Sequence, residues 1–160
     1  MSVDLKPGDA APDFDLPSDG GGRVRLADYK GKPLVVYFYP KDDTPGCTLE
    51  GREFTGLLPE FERAGVLVYG VSPDSGESHD RFAAKCDLGI PLVSDPHHLL
   101  IDFFELWTTK ERYGRSYMGV ERSTFLIGPD GGVQREWRKV QPQGHASQVL
   151  AAVQGAPDQD

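Results

Sequence analysis

Leu34-Val35-Val36-Tyr37-Phe38-Tyr39-Pro40-Lys41-Asp42-Asp43-Thr44-Pro45-Gly46-Cys47-Thr48 is the stretch from which the fold of this chain can be read. The run from Leu34 to Tyr39 is apolar throughout, as expected of a strand covered on both faces. Pro40 ends it. Thr44 then suits a helix N-cap, and Pro45 the first helical position, where its fixed φ and missing N–H cost nothing. Cys47 thus falls in the first turn of a helix, where unpaired backbone N–H groups point toward its sulfur and favour the thiolate, the reactive form. Gly46 leaves room for a small molecule to approach. Thr44 can offer its hydroxyl to an oxygen bound beside the sulfur, and Pro40 can shield the thiolate from water. The plain alternative is a buried cysteine that happens to start a helix, since free cysteines often serve as small core residues.

Working outward, Cys47 to Ala64 reads as a helix, with Phe54, Leu57, Leu58 and Phe61 on one stripe and Gly65 as its stop. Val66 to Val71 reads as a second buried strand. Ser75 to Cys86 is a polar helix with Phe82 turned inward and His79 exposed. Pro91 to Val93 is a short strand, and Ser94-Asp95-Pro96 opens a helix through Leu99, Phe103 and Leu106. Thr124 to Ile127 and Val133 to Lys139 flank the turn Pro129-Asp130-Gly131-Gly132. Ala146 to Val153 closes the chain as a helix. Upstream, Asp13 to Leu16 and Arg23 to Leu26 alternate around Gly20-Gly21-Gly22, a small N-terminal hairpin. Phe104 and Trp107 either wall the site or fill the core, core filling being the expectation; Trp137 is expected to cover the sheet and Tyr39 to border the site. The order β-α-β-α-β-α-β-β-α implies an α/β fold, a central mixed sheet with helices on both faces. One domain over 1–160 is expected, with a loose tail at 155–160.

The 160 residues suit one core. The net charge of -8 argues against nucleic acid or an anionic membrane as partner. Asp4, Asp9, Asp13 and Asp15 read as surface residues. The opening MSVDLKPGDAAPDFDL has no apolar core of signal-peptide length, and no segment approaches the roughly 20 apolar residues of a membrane helix. A cytoplasmic protein is the expectation. In a reducing compartment the two cysteines, Cys47 and Cys86, read as catalytic or metal-binding rather than as a permanent disulfide. Metal is disfavoured: His79, His97, His98 and His145 form none of the familiar ligand spacings. No haem or flavin motif and no Gly-rich dinucleotide loop occurs, so no cofactor is expected.

Pro40-x-x-x-Thr44-x-x-Cys47 resembles the active-site signature of the peroxiredoxins, and YPKDDTPGCTLE resembles their Q-type subgroup, the bacterioferritin comigratory proteins. APDFDL, DYKGKPLVVYFYP, GVSPDS, PLVSDP and ERSTFLIGPDGG resemble family segments in the same order, so the likeness runs from about Pro7 to Val153. It implies a thioredoxin fold and a thiol peroxidase acting on hydrogen peroxide and organic hydroperoxides, with Cys47 as the peroxidatic residue passing through a sulfenic acid. Arg122 matches the family's active-site arginine. Taken alone it would read as a solvated charge at a strand edge. In the family context its fixed fork of donors would hold the thiolate and stabilise charge moving onto the peroxide oxygens. Glu50, three residues after Cys47, either orients Arg122 or Arg52 or is an ordinary first-turn carboxylate.

The resemblance breaks at the second cysteine. Many Q-type members place it five residues after the first, where this chain has Arg52. Others place it in the next helix, where this chain has Ala83. Cys86 follows one helical turn later. Either Cys86 resolves the Cys47 sulfenic acid as an intramolecular disulfide, or an external thiol does so. Thioredoxin or a similar dithiol protein is the implied reductant, and the subgroup is frequently monomeric. The rival from another class is a non-enzymatic thioredoxin-fold module, either a redox sensor that hands oxidation to a partner or a structure-holding chaperone. A disulfide oxidoreductase is weaker, for want of a C-x-x-C pair.

Overall fold

A computed structural model describes residues 14–25 and 31–155 of the chain. Strands β1 (Asp15–Pro17) and β2 (Arg23–Arg25) form a short antiparallel hairpin with Leu16 opposite Val24. The expected ends of that hairpin at Asp13 and Leu26, the acidic residues Asp4 and Asp9, and the tail beyond Gly155 lie outside the described residues. Next come β3 (Leu34–Phe38), α1 (Pro45–Arg63), β4 (Leu67–Ser72), α2 (Gly76–Cys86), β5 (Leu92–Ser94) and α3 (Leu99–Phe103). The chain continues through β6 (Trp107–Arg112), β7 (Arg115–Val120), β8 (Ser123–Ile127), β9 (Val133–Trp137) and α4 (His145–Val153).

The central sheet has the order β5-β4-β3-β8-β9. The β3–β4 and β4–β5 pairs are parallel; β3–β8 and β8–β9 are antiparallel, so the sheet is mixed as expected. Strand β3 lies in the middle and all its residues are buried. Its alternation divides the core. Leu34, Val36 and Phe38 face a cluster with Leu100, Ile101, Phe104 and Val120, on the side of α3 and the β1–β2 hairpin. Val35, Tyr37 and Tyr39 face a cluster with Phe54, Phe61, Phe82 and Val149, from α1, α2 and α4. A side-chain period of two on a central strand puts alternate residues into opposite layers.

Three expectations are corrected. The hairpin β6–β7 is new: Trp107 pairs with Val120 and Arg112 with Arg115, around Tyr113 and Gly114, both at positive φ. Most of its residues are exposed, so it lacks the apolar alternation that marks a half-buried strand. The third helix is shorter than the apolar spacing suggested. It begins at Leu99, where the Asp95 carboxylate accepts from the N–H groups of Leu99, Leu100 and Ile101. It stops at Phe103, and Glu105 takes a left-handed conformation, φ 56°. Trp107 consequently sits on the hairpin, 39% exposed, while Phe104 fills the core as expected. Finally, His79 is fully buried rather than exposed.

Candidate active site

The site is built where β3 runs out. Tyr39 N–H still bonds to the Val71 carbonyl, so the chain leaves the sheet only at Pro40. Thr44 is extended (φ -107°, ψ 154°), and its carbonyl accepts the first helical bond, from Thr48 N–H at 2.8 Å. It occupies the N-cap position with Pro45 following, but its hydroxyl makes no cap. It donates instead to the Lys41 carbonyl at 2.9 Å, which closes the loop from Pro40 to Thr44. Cys47 lies in the first turn of α1 and is 2% exposed.

Arg122 arrives through sheet register. Ser123 pairs with Phe38, the last residue of β3. Arg122 is therefore carried just past the carboxyl end of β3, over the start of α1. Its guanidinium spans two partners: Nη2 donates to Cys47 Sγ at 3.4 Å and Nη1 to Glu50 Oε1 at 2.7 Å. Burial opposes the arginine's charge, yet Glu50 and Cys47 beside it hold its pKa above the ordinary value.

Glu50 is fully buried, and its Oε2 has no hydrogen-bond partner among the described residues. Desolvation pushes its carboxyl up to about 7 despite the adjacent Arg122. Between the alternatives of Arg122 and Arg52, the contact goes to Arg122; Arg52 is exposed. Gly46 has a role the sequence did not suggest. A Cβ there would lie 3.1 Å from Arg122 Nη2, so the missing side chain admits the guanidinium.

Above Gly46 and Arg122 opens a cavity of about 730 Å³. Pro40 and Thr44 line it from the loop, and Trp107, Tyr117 and Met118 from the β6–β7 hairpin. Lys110, half-buried, also faces it; burial and the nearby Arg122 lower its pKa. The hairpin wall was hidden in the sequence because its residues are mostly exposed and show no apolar alternation, although Tyr117 and Met118 lie only a few positions before Arg122. Gly114, which follows Tyr113 between Arg112 and Arg115 and takes a positive φ at the turn, was the available signal.

Cys86 is the last residue of α2 and is 6% exposed. It belongs to the same apolar cluster as Cys47, and both are free thiols. Leu88, just beyond it, packs against Gly51 of α1: a Cβ on that glycine would come within 3.2 Å of a Leu88 methyl. The structure thus brings Pro40, Thr44, Cys47, Glu50 and Arg122 together, and places Cys86 in the apolar cluster that also holds Cys47.

Residues 7–136 match the model of the AhpC/TSA family. The chain is 51% identical over 145 residues to Peroxiredoxin Bcp of Xanthomonas campestris pv. campestris, covering 89% of this chain and 91% of the relative. It is 45% identical over 150 residues to Peroxiredoxin Bcp of Bacillus subtilis, covering 94% of each. Its structure is similar to that of the Xanthomonas campestris bacterioferritin comigratory protein, solved in work on alkyl peroxide reduction. There the TM-score is 0.83 and the identity 48%, over 89% of this chain and 90% of the other.

Proposed function

We propose, for a chain that belongs to the AhpC/TSA family and is a peroxiredoxin, that Cys47 is the peroxidatic residue and Arg122 its electrostatic partner. The observation that carries this is the guanidinium fork that bonds Cys47 Sγ with one arm and Glu50 with the other. Thiol peroxidase chemistry needs an anionic sulfur, a donor for the charge leaving along the O–O bond, and a site poor in water. Helix start, fork and burial supply these in turn.

In the first step the Cys47 thiolate attacks the terminal oxygen of a hydroperoxide. The S–O bond forms as the O–O bond breaks. Sulfur is oxidised to the sulfenic acid, and the departing oxygen takes a proton and leaves as water or an alcohol. Arg122 Nη2, already on the sulfur, is placed to donate to the oxygens as charge crosses them. Thr44 lines the cavity within the same loop; its proton goes to the Lys41 carbonyl, so its hydroxyl oxygen accepts from the O–H of the bound peroxide, while Pro40 limits water at the sulfur. The cavity is many times the roughly 30 Å³ share of one water molecule, so organic hydroperoxides fit as well as hydrogen peroxide.

In the second step the Cys86 thiol attacks the sulfenic sulfur. An S–S bond forms, the S–O bond breaks, and the hydroxyl leaves as water with the Cys86 proton. A disulfide requires Cα atoms within roughly 7 Å. Cys86 ends α2, so unwinding its last turn frees the sulfur. Thioredoxin or a similar dithiol protein then returns both cysteines to thiols, as a monomer's reaction in the cytoplasm. Among the described residues no helix is long and apolar enough to cross a membrane. A one-cysteine cycle resolved by an external thiol is the alternative, favoured by the burial of Cys86 within an apolar cluster. A redox sensor would react once and turn over poorly.

The test is intact mass after one equivalent of peroxide. Loss of two hydrogens in the native chain, and gain of one oxygen in Cys86→Ser, is the expected pair of results. Gain of one oxygen in both overturns the intramolecular disulfide.

A further inference from the structure

The loop that carries Cys47 is fastened from below by polar side chains that take no part in the chemistry above. Asp42 lies between β3 and α1, with its side chain 3% exposed. Its Oδ1 accepts from the Tyr39 hydroxyl at 2.6 Å; burial raises the Tyr39 pKa, so that group remains a donor. Its Oδ2 accepts from Ser78 Oγ at 2.7 Å and faces His79 Nδ1 at 2.8 Å. On the far side of the ring, His79 Nε2 faces the Val93 carbonyl at 3.0 Å. A carbonyl only accepts, and the carboxylate is already an acceptor for two hydroxyls. Nε2 therefore donates to the Val93 carbonyl, and Nδ1 lies within hydrogen-bond distance of the Asp42 carboxyl. Three separate pieces meet in this ring: the Cys47 loop through Asp42, helix α2 through Ser78 and His79, and strand β5 through Val93.

The other ties between loop and helix are weaker or lie elsewhere. Lys85 bonds Asp43 at 2.9 Å, but the two side chains are 66% and 51% exposed and screened by water. The Asp42 N–H donates to Asp74 Oδ2, which holds the loop to the end of β4 and not to α2. Helix α2 thus holds the Cys47 loop chiefly through Asp42, by the part-buried Ser78 Oγ bond at 2.7 Å and the fully buried His79 contact at 2.8 Å. Removing one partner of a buried, hydrogen-bonded pair leaves the other unsatisfied, so the pair stays closed or opens as a unit.

We propose that His79 is a positioning residue that, through Asp42, couples the peroxide-reactive form of the Cys47 loop to the closed form of α2. Loosening the pair slows attack on peroxide and speeds disulfide closure. The second half rests on Cys86 as the partner of Cys47; the first half does not. Asp42 set firmly keeps Thr44 and the start of α1 in place beneath the cavity. With Asp42 released, the loop loses its register, and α2 is free to unwind toward Cys47. Reaction and resolution thereby make opposite demands on one contact.

Two isosteres separate this from a merely structural role. In His79→Gln the amide nitrogen reaches the Val93 carbonyl but nothing remains at the Nδ1 position. In His79→Asn the nitrogen reaches Asp42 and the Val93 bond is lost. Formation of the sulfenic acid and its conversion to disulfide are followed separately, by quenched-flow mass measurement after a single equivalent of hydrogen peroxide. For His79→Gln the expected result is a first step slowed about tenfold or more, because small misplacements near reacting atoms are costly, and a second step accelerated several-fold. His79→Asn stays within a few-fold of the native chain in both. Lys85→Ala changes neither.

Equal slowing of both steps in the two isosteres, or no change in either, overturns the coupling. The same first-step measurement in a Cys86→Ser background isolates the positioning claim. If the native chain forms no disulfide while His79→Gln still slows the first step, the Cys86 assignment fails and the positioning claim stands. Should the variants not fold, hydrogen exchange on the native chain decides: amides of 40–48 and of α2 exchange with a common opening free energy if coupled, and with different ones if not.

Discussion

The two cysteines stand at opposite ends of two helices, and the ends differ in kind. Cys47 is in the first turn of α1, where free N–H groups and the helix dipole favour negative charge. Cys86 is the last residue of α2, where unpaired carbonyls disfavour it. Cys47 has a guanidinium at 3.4 Å; the Lys85 ammonium, next to Cys86 in sequence, turns outward to Asp43. The same residue type is thus given two different settings by position. The proposed roles follow that difference: Cys47 as the nucleophile, Cys86 as the sulfur released when α2 opens. A Pro-Gly-Cys start and a Lys-Cys end are both visible in the sequence, but only the structure shows which charges reach which sulfur.

The largest effect that would break this contrast is on peroxide turnover. Cys47→Ser is expected to reduce hydroperoxide consumption to the uncatalysed background, whereas Cys86→Ser retains a first-turnover rate close to that of the native chain. A Cys47→Ser chain that still consumes peroxide would put the chemistry on the other sulfur. Next comes Arg122→Ala, which removes the donor shared by Cys47 and Glu50. Loss of one preorganised donor at a developing negative charge typically lowers the rate about 100-fold or more, and that is the expected fall in the single-turnover rate. Arg122→Lys should recover only part of it, because an ammonium cannot span both partners. Smaller again is Gly46→Ala. Its methyl would meet Arg122 Nη2 at 3.1 Å and push the fork off the sulfur, lowering the rate about tenfold with little effect on urea unfolding.

The smallest effects sharpen the contrast through pH. The Glu50 carboxyl is raised to about 7 by burial, above its unfolded value of 4.5. Its contribution to stability is fully present below about 4.5 and is lost as pH rises through about 7. The His145 ring, buried and bonded to Thr124 Oγ1 at 2.7 Å, is lowered by burial to about 4 from 6.5. Its contribution is present above about 6.5 and is lost as pH falls through about 4. Relative to Glu50→Gln, the native chain should therefore lose stability as pH rises across this window. Relative to His145→Gln it should lose stability as pH falls. Each difference is on the order of 2 kcal/mol, read from urea unfolding at a series of pH values. Parallel slopes of one sign would mean that one of these buried groups is not where the structure puts it.

Much of the site was legible because it is local. The strand–Pro–loop–Thr–Pro–Gly–Cys succession is dictated by backbone rules that operate within a few residues, and β3, the loop and α1 follow it closely. Arg122 was legible only by resemblance. Nothing in Glu121-Arg122-Ser123 alone says that β8 pairs with β3 and carries the arginine 72 residues back to Glu50. The β6–β7 hairpin was missed because it faces solvent and shows no apolar period. His79 was misplaced for a related reason. A polar residue on a polar helix reads as exposed, and its burial is settled by Asp42, 37 positions away, and by the Val93 carbonyl of another strand. Local chemistry fixes the thiol's setting, and long-range pairing supplies its partners.

The most direct measurement is to trap the sulfenic acid. In Cys86→Ser, one equivalent of hydroperoxide is added with a 1,3-dione that labels sulfenic sulfur, and the adduct is mapped by peptide mass with and without Arg122→Ala. The expected result is a single label on Cys47, formed quickly with Arg122 present and far more slowly without it. No label on Cys47, or one that forms equally fast in the absence of the arginine, would contradict the pairing of thiolate and guanidinium.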